Sequence, residues 1–188
     1  EIPRARPDRR RVADAIALLK AAKRPLIIAG GGTRYSGAEE AVAQFALEHG
    51  IPITETIAGK STVAHDHPAY AGPIGIVGST SANALGAEAD VIVAIGTRLM
   101  DFTTGSWTLF SHEAKFISIN AARWDANKHR ALAVVGDARA REAGDVPAGG
   151  PAVPAETRAQ IGKLKDDMRS LLDLLGGDTG ALDRLEDA

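Results

Sequence analysis

Asp90-Val91-Ile92-Val93-Ala94-Ile95-Gly96-Thr97-Arg98 decides the fold. Five apolar residues run without alternation between an acid and a glycine, the pattern of a strand covered on both faces in a parallel sheet. Polar residues follow at once, from Gly96 past Gly105 to Trp107, at the carboxyl end where α/β domains build ligand sites. Outward from this run, residues 26–29, 51–54, 116–119 and 132–135 are further breaker-bounded apolar runs and read as strands. Between them Val12, Ile16 and Leu19 recur at helical spacing, as do Ala38, Val42 and Phe45 after a Ser36–Glu39 capping-box spacing, and a short helix fits residues 81–88. Gly50 suits a helix stop. The alternation predicts an α/β fold, a parallel sheet with helices on both faces.

Residues 1–8, with Pro3 and Pro7 set among charged side chains, read as a linker or lead-in arm, and residues 9–143 as the main domain. Gly144 to Pro154 is breaker-rich and reads as a second linker over 144–155. Beyond it Ile161, Leu164, Met168, Leu171, Leu172 and Leu175 predict an amphipathic helix within 156–188. Residues 55–79 form a loop longer than the ~12 to 15 residues at which unstructured connections become unusual, which suggests use. The chain starts Glu1-Ile2-Pro3-Arg4, without methionine or a signal-peptide core, as a cut-out of a longer polypeptide would.

The 188 residues are 45% hydrophobic and 24% charged with net charge −2, so nothing in the composition calls for nucleic acid or an anionic membrane as partner. No run approaches the ~20 apolar residues of a membrane span. The absence of cysteine excludes a disulfide framework, thiolate chemistry and cysteine-bound zinc, and fits a reducing cytoplasm.

Several motifs carry partial chemistry. Gly30-Gly31-Gly32 ends the first strand where a backbone could approach a pyrophosphate, yet the next glycine is Gly37, so the dinucleotide fingerprint spacing fails and a tight turn explains the run as well. Glu55 lies about where a dinucleotide domain puts its ribose acid, but one acid at a strand end is common by chance, so no NAD is assigned. Gly59-Lys60-Ser61-Thr62 has the tail of a phosphate loop without its first glycine or following helix, leaving Lys60 as a charge in a binding loop. His65-Asp66-His67 lacks a third ligand at useful spacing, so no metal is assigned. Asp101, Thr103, Thr104 and Ser106 offer a carboxylate and hydroxyls beside Phe102 and Trp107, which suits a polyhydroxylated or carbonyl ligand, and equally a capped turn anchored by two aromatics.

Arg24 to Gly32, Gly50-Ile51-Pro52-Ile53, Thr56 to Lys60, Asp66-His67-Pro68, Ala89 to Arg98 and Gly136-Asp137-Ala138 together resemble the central domain of thiamine-diphosphate-dependent enzymes such as acetolactate synthase, over about residues 10–140. Within that superfamily, Asp101 to Trp107 with Asn120, Asp125, Lys128 and His129 is similar to the trihydroxycyclohexanedione hydrolases of myo-inositol breakdown. The resemblance implies a Rossmann-like sheet and a three-domain, oligomeric enzyme. Its pyrimidine-binding domain carries the catalytic glutamate, and its pyrophosphate-binding domain carries a Gly-Asp-Gly to Asn-Asn magnesium motif. Neither motif occurs here: Gly136-Asp137 is followed by Ala138. The resemblance therefore places thiamine diphosphate and magnesium on other domains, puts no catalytic residue in this chain, and makes it inert alone.

In the complete enzyme the implied chemistry is attack of the thiamine ylide on a ring carbonyl, carbon–carbon cleavage and hydrolysis to an open-chain deoxyglucuronate. Lys60, Arg98, Asp101, Thr103, Thr104 and Trp107 would then face the substrate. Flavin-carrying relatives bind FAD in this domain, which would put FAD or ADP on Gly30, Gly31, Gly32, Thr97 and Asn120. The resemblance departs after Asp137, where a closing helix would follow but Ala140 to Ala143 is brief. A sirtuin-like deacylase would want a cysteine zinc cluster, which the chain lacks, and a stand-alone nucleotide-binding module would use the glycine loop and Asn120.

Overall fold

β4 (Val91–Ile95) is buried at every residue, which is why its sequence shows no alternation. The computed structural model describes residues 4–139. The chain divides into two units, 1–148 and 149–188, and every described residue belongs to the first. β4 pairs in parallel with β1 (Pro25–Ala29) on one side and β5 (Lys115–Asn120) on the other, with Ala29 opposite Ile95 and Ile95 opposite Ile119. β2 (Ile53–Glu55), β3 (Tyr70–Pro73) and β6 (Leu132–Val135) complete a six-stranded parallel sheet in the order β3-β2-β1-β4-β5-β6. The order reverses between β1 and β4, so their carboxyl ends form the topological switch point at which such sheets bind ligands.

Period-two alternation sends successive residues of each strand to opposite faces. Ile27, Ala29, Val93, Ile117 and Val134 meet α1 (Arg9–Lys20) and α3 (Glu39–His49) through Val12, Leu19, Val42 and Ala46. Leu26, Ile28, Ile92, Ala94 and Phe116 form the other core with Ile74, Leu99, Phe110 and Ala82 of α4 (Thr80–Glu88). Each fully buried Leu or Ile here contributes about 1.5–3 kcal/mol. Asp90 pins the amino ends of β1 and β4, accepting from the Lys23 and Arg24 amides at 2.7 and 2.9 Å. Burial pushes its carboxyl upward, but these amides with its own and that of Val91 outweigh burial and hold it below its ordinary value.

The structure departs from the sequence expectations in five places, the first being Phe45, which is 37% exposed and stacks on His49 instead of joining Ala38 and Val42 in the core. β3 lies within the 55–79 segment that reads as a loop; Tyr70-Ala71-Gly72-Pro73 has no apolar pattern, but an edge strand needs only one partner, and β2 supplies it. The second strand is displaced to Ile53–Glu55, after Pro52. The Ser36–Glu39 capping box does not form, because Gly31–Ser36 is already helical (α2); Ser36 Oγ donates to Thr33 O, and Ala38 precedes α3 without a side-chain cap. In α1 the buried stripe is rotated: Ala15 and Leu18 join Val12 and Leu19 on the core, while Ile16 is 48% exposed.

The lead-in arm docks on the end of β6, where Asp137 N donates to Ala5 O and Arg4 bridges Ser36 O and the Asp137 carboxylate, each at 2.7 Å. Asp8 caps α1 through the Arg11 amide. Among the described residues no helix is long and apolar enough to cross a membrane. The brief 140–143 segment, the 144–155 linker and the 156–188 helix lie outside the described residues.

Candidate functional site

At the switch point the chain closes on itself with glycines. Gly30 N donates to Ile95 O and Gly32 N to Gly96 O, both at 2.8 Å, while Thr33 N donates to Gly30 O. A Cβ on Gly32 would meet Gly96 Cα at 2.7 Å, one on Gly31 would meet Ala58 O at 2.9 Å, and one on Gly59 would collide with Ala29 O. Gly96 itself has φ +59°. Beside them Thr97 Oγ1 accepts from Leu99 N, and Asn120 Nδ2 donates to Thr97 O at 3.0 Å while its Oδ1 accepts from Ala122 N. The fold thus gathers Gly30, Gly31, Gly32, Thr97 and Asn120 at one junction and engages all but Gly31 in hydrogen bonds within it.

A pyrophosphate needs free amides at a helix start, and those of Gly30, Gly32 and Thr33 already donate to protein carbonyls. These three amides are therefore not available to the diphosphate of a cofactor. The described residues also contain no group of three or more His, Asp or Glu side chains able to hold a metal ion. His65-Asp66-His67 stays a polar loop.

Glu55 is 3% exposed at the end of β2 and organises the 56–69 segment. Its carboxylate accepts from Tyr70 Oη at 2.6 Å and from Thr62 N at 3.3 Å, fastening both ends of the segment that carries Lys60. Burial, then the hydrogen bond to Glu55, then that carboxylate's charge push the Tyr70 phenol up to about 12. Lys60 follows a 3₁₀ turn, Ile57–Gly59, capped by Thr56, and stands exposed with no helix behind it.

The run after β4 is folded more tightly than a loop. Asp101–Thr104 forms one helical turn, α5, with Thr103 and Thr104 buried and Thr104 Oγ1 accepting from Trp107 N. Gly105, Ser106 and Trp107 then take φ +57°, +52° and +66° in succession, a left-handed stretch costing a non-glycine residue about 1–3 kcal/mol. This turns the Trp107 ring inward onto Phe116, 5.6 Å between centroids, and onto His129 at 3.4 Å. His129 belongs to the segment after α6 (Arg123–Ala126), where Lys128 Nζ pairs with Asp125 Oδ1 at 2.6 Å. Burial, then Lys128, lower the His129 pKa against the opposing charge of Asp101.

Of the substrate-facing candidates, Lys60, Arg98 and Asp101 stand at the surface, Thr103 and Thr104 are inside, and Trp107 is half-buried. Arg98 Nη2 lies 3.2 Å from Met100 Sδ. Ile76 N donates to Phe102 O, joining the 74–78 loop to α5 and bringing together a rim of exposed Ile76, Val77, Met100 and Phe102. Periodicity could not reveal that rim, because these side chains stand proud of the fold rather than along one element. Chemically it can bind and orient: a guanidinium and a carboxylate border an exposed apolar surface.

The family described as "Thiamine pyrophosphate enzyme, central domain" matches residues 12–142. The chain is 45% identical over 139 residues to 3D-(3,5/4)-trihydroxycyclohexane-1,2-dione hydrolase 2 of Bacillus cereus, covering 73% of this chain and 22% of that protein. It is 44% identical over 139 residues to the correspondingly named hydrolase of Geobacillus thermodenitrificans, covering 74% and 22%. The chain therefore spans about a fifth of the length of these curated relatives. An X-ray structure described as that of a thiamin diphosphate-dependent enzyme isolated from Mycobacterium smegmatis shares the fold, with TM-score 0.60 and 22% identity over 73% of this chain and 27% of that one.

Proposed function

We infer, from the premise that this chain belongs to the family of thiamine pyrophosphate enzyme central domains, that it forms the central domain of a hydrolase acting on 3D-(3,5/4)-trihydroxycyclohexane-1,2-dione in inositol breakdown. The observation that carries this reading is the 45% identity with hydrolases of that name. Its site is the carboxyl-end rim: Arg98 and Lys60 suit the carbonyl and hydroxyl oxygens of a polyol dione, and Asp101 accepts from its hydroxyls. Thiamine diphosphate and magnesium belong to pyrimidine- and pyrophosphate-binding domains of the same polypeptide, since the switch-point amides here are engaged within the fold. When bound there the cofactor supplies the carbanion chemistry; the residues of this chain bind, orient and shield the substrate, and the chain alone is inert. The same engagement makes wall-building the better supported role for Gly30, Gly32, Thr97 and Asn120 than holding FAD or ADP, and the close approach of Ala58 O puts Gly31 in the same wall.

The reading extends to a homo-oligomeric cytoplasmic enzyme without nucleic-acid or membrane partners, consistent with the net charge of −2. It treats 1–8 and 144–155 as linkers, 9–143 as the domain and 156–188 as a helix with its tail. The test is kinetic, on the full-length enzyme. Asp101→Asn should lower kcat/KM at least tenfold, about 1.4 kcal/mol of transition-state binding, with melting temperature unchanged. Thr104→Ala, at a fully buried hydroxyl, should lower melting temperature while the folded fraction keeps its turnover. Full activity in Asp101→Asn would remove the rim from the active site.

A further inference from the structure

At the opposite end of the sheet, where β5 and β6 begin, a cavity of about 510 Å³ opens between Trp107, Phe110, Phe116, Lys115, His129 and Arg130. We propose that this cavity is a second ligand site, separate from the carboxyl-end rim, that takes a small aromatic or cyclic carboxylate. Its volume falls in the range of small-molecule sites, about 300–1,000 Å³. Trp107, Phe110 and Phe116 contact one another with centroids 5.4–6.2 Å apart, so the apolar wall is fixed before anything binds. Lys115 and Arg130 bring two full positive charges to the lining, against one negative from Glu113, which selects an anion.

The backbone supplies an independent reason. Trp107, His129 and Arg130 hold φ +66°, +55° and +58°, and all three line the cavity. Elsewhere among the described residues Gly37, Gly50, Gly96 and Gly105 take the same conformation, at φ from +57° to +66°, and so do Ser61, Leu99 and Ser106, so three of the six non-glycine residues in this conformation gather at the cavity. Glycine would adopt these angles without steric penalty, so large side chains at three strained positions around one cavity mark side chains in use. His129 stacks on Trp107 with ring centroids 3.4 Å apart, which makes it part of the wall.

The chain has two tryptophans, Trp107 and Trp124, and Trp124 is 89% exposed. In the Trp124→Phe variant of this chain, Trp107 fluorescence reports on the cavity alone. Benzoate should change it saturably, with benzamide, its neutral isostere, binding at least tenfold more weakly. Arg130→Gly removes the guanidinium and relieves the backbone together, so benzoate affinity should fall about tenfold while melting temperature holds or rises; Lys115→Ala should repeat the affinity loss without touching a strained residue. No saturable response to benzoate, equal affinity for benzamide, or undiminished binding in both variants would overturn the proposal.

Discussion

The β1–β4 junction and the connections flanking β5 use the same left-handed conformation in opposite ways. At the junction Gly96 takes φ +59° so that two backbones can touch, and its neighbours Gly30 and Gly32 leave no room for a methyl group. Around β5, Trp107, His129 and Arg130 take it with their side chains retained and stacked over an open cavity. The first region uses strain-free glycine to close a surface, and the second accepts strain to keep one furnished. Glycine-rich loops at a switch point are thus no sign of a phosphate site until their amides are shown to be free.

Gly96→Ala should break the contrast most visibly. A Cβ there falls 2.6 Å from Gly32 Cα on a backbone that disfavours alanine, so denaturant unfolding should show a loss of about 4 kcal/mol. A loss below about 1 kcal/mol would mean that the loops are not interlocked. Trp107→Ala should cost less, about 2 kcal/mol, because the ring is only half-buried.

Proton linkage gives smaller effects on each side of the sheet. Tyr70, raised from 10.0 to about 12, is a neutral phenol favoured by the fold; its contribution is complete below pH 10 and lost as pH rises to 12. In Tyr35→Phe, which leaves Tyr70 as the sole tyrosine, phenolate absorbance should rise near pH 12, and a step near 10 would dissolve the Glu55 anchor. His129, lowered from 6.5, favours its neutral form in the fold, so its contribution is present above 6.5 and lost as pH falls through its lower folded value. His129→Gln should flatten that small acid-side slope.

The strands legible in sequence were those with apolar runs: 26–29, 91–95, 116–119 and 132–135 all lie in observed strands, because burial on both faces writes itself into composition. β3 was not legible, since an edge strand of Tyr, Ala, Gly and Pro carries no such signature. The site was legible as a position, the carboxyl end of β4, but not in its division of labour. Asp101 and Arg98 are exposed as polar residues after a strand commonly are, whereas Thr104 is buried because a one-turn helix and a left-handed stretch fold it under Trp107.

What the sequence by itself determined was therefore the parallel α/β sheet and the family it serves, because both depend on patterns contiguous in the chain. Tertiary structure alone decided the partners of Glu55 and Gly96. Glu55 reads as one acid at a strand end, with no partner in view, until β2–β3 pairing sets Tyr70 against it, fifteen residues on. Gly96 reads as a loop residue until the parallel register of β1 and β4 brings Gly32 against it from far back in the chain. Contacts between distant residues obey packing and hydrogen-bond geometry in three dimensions, and no local period encodes them.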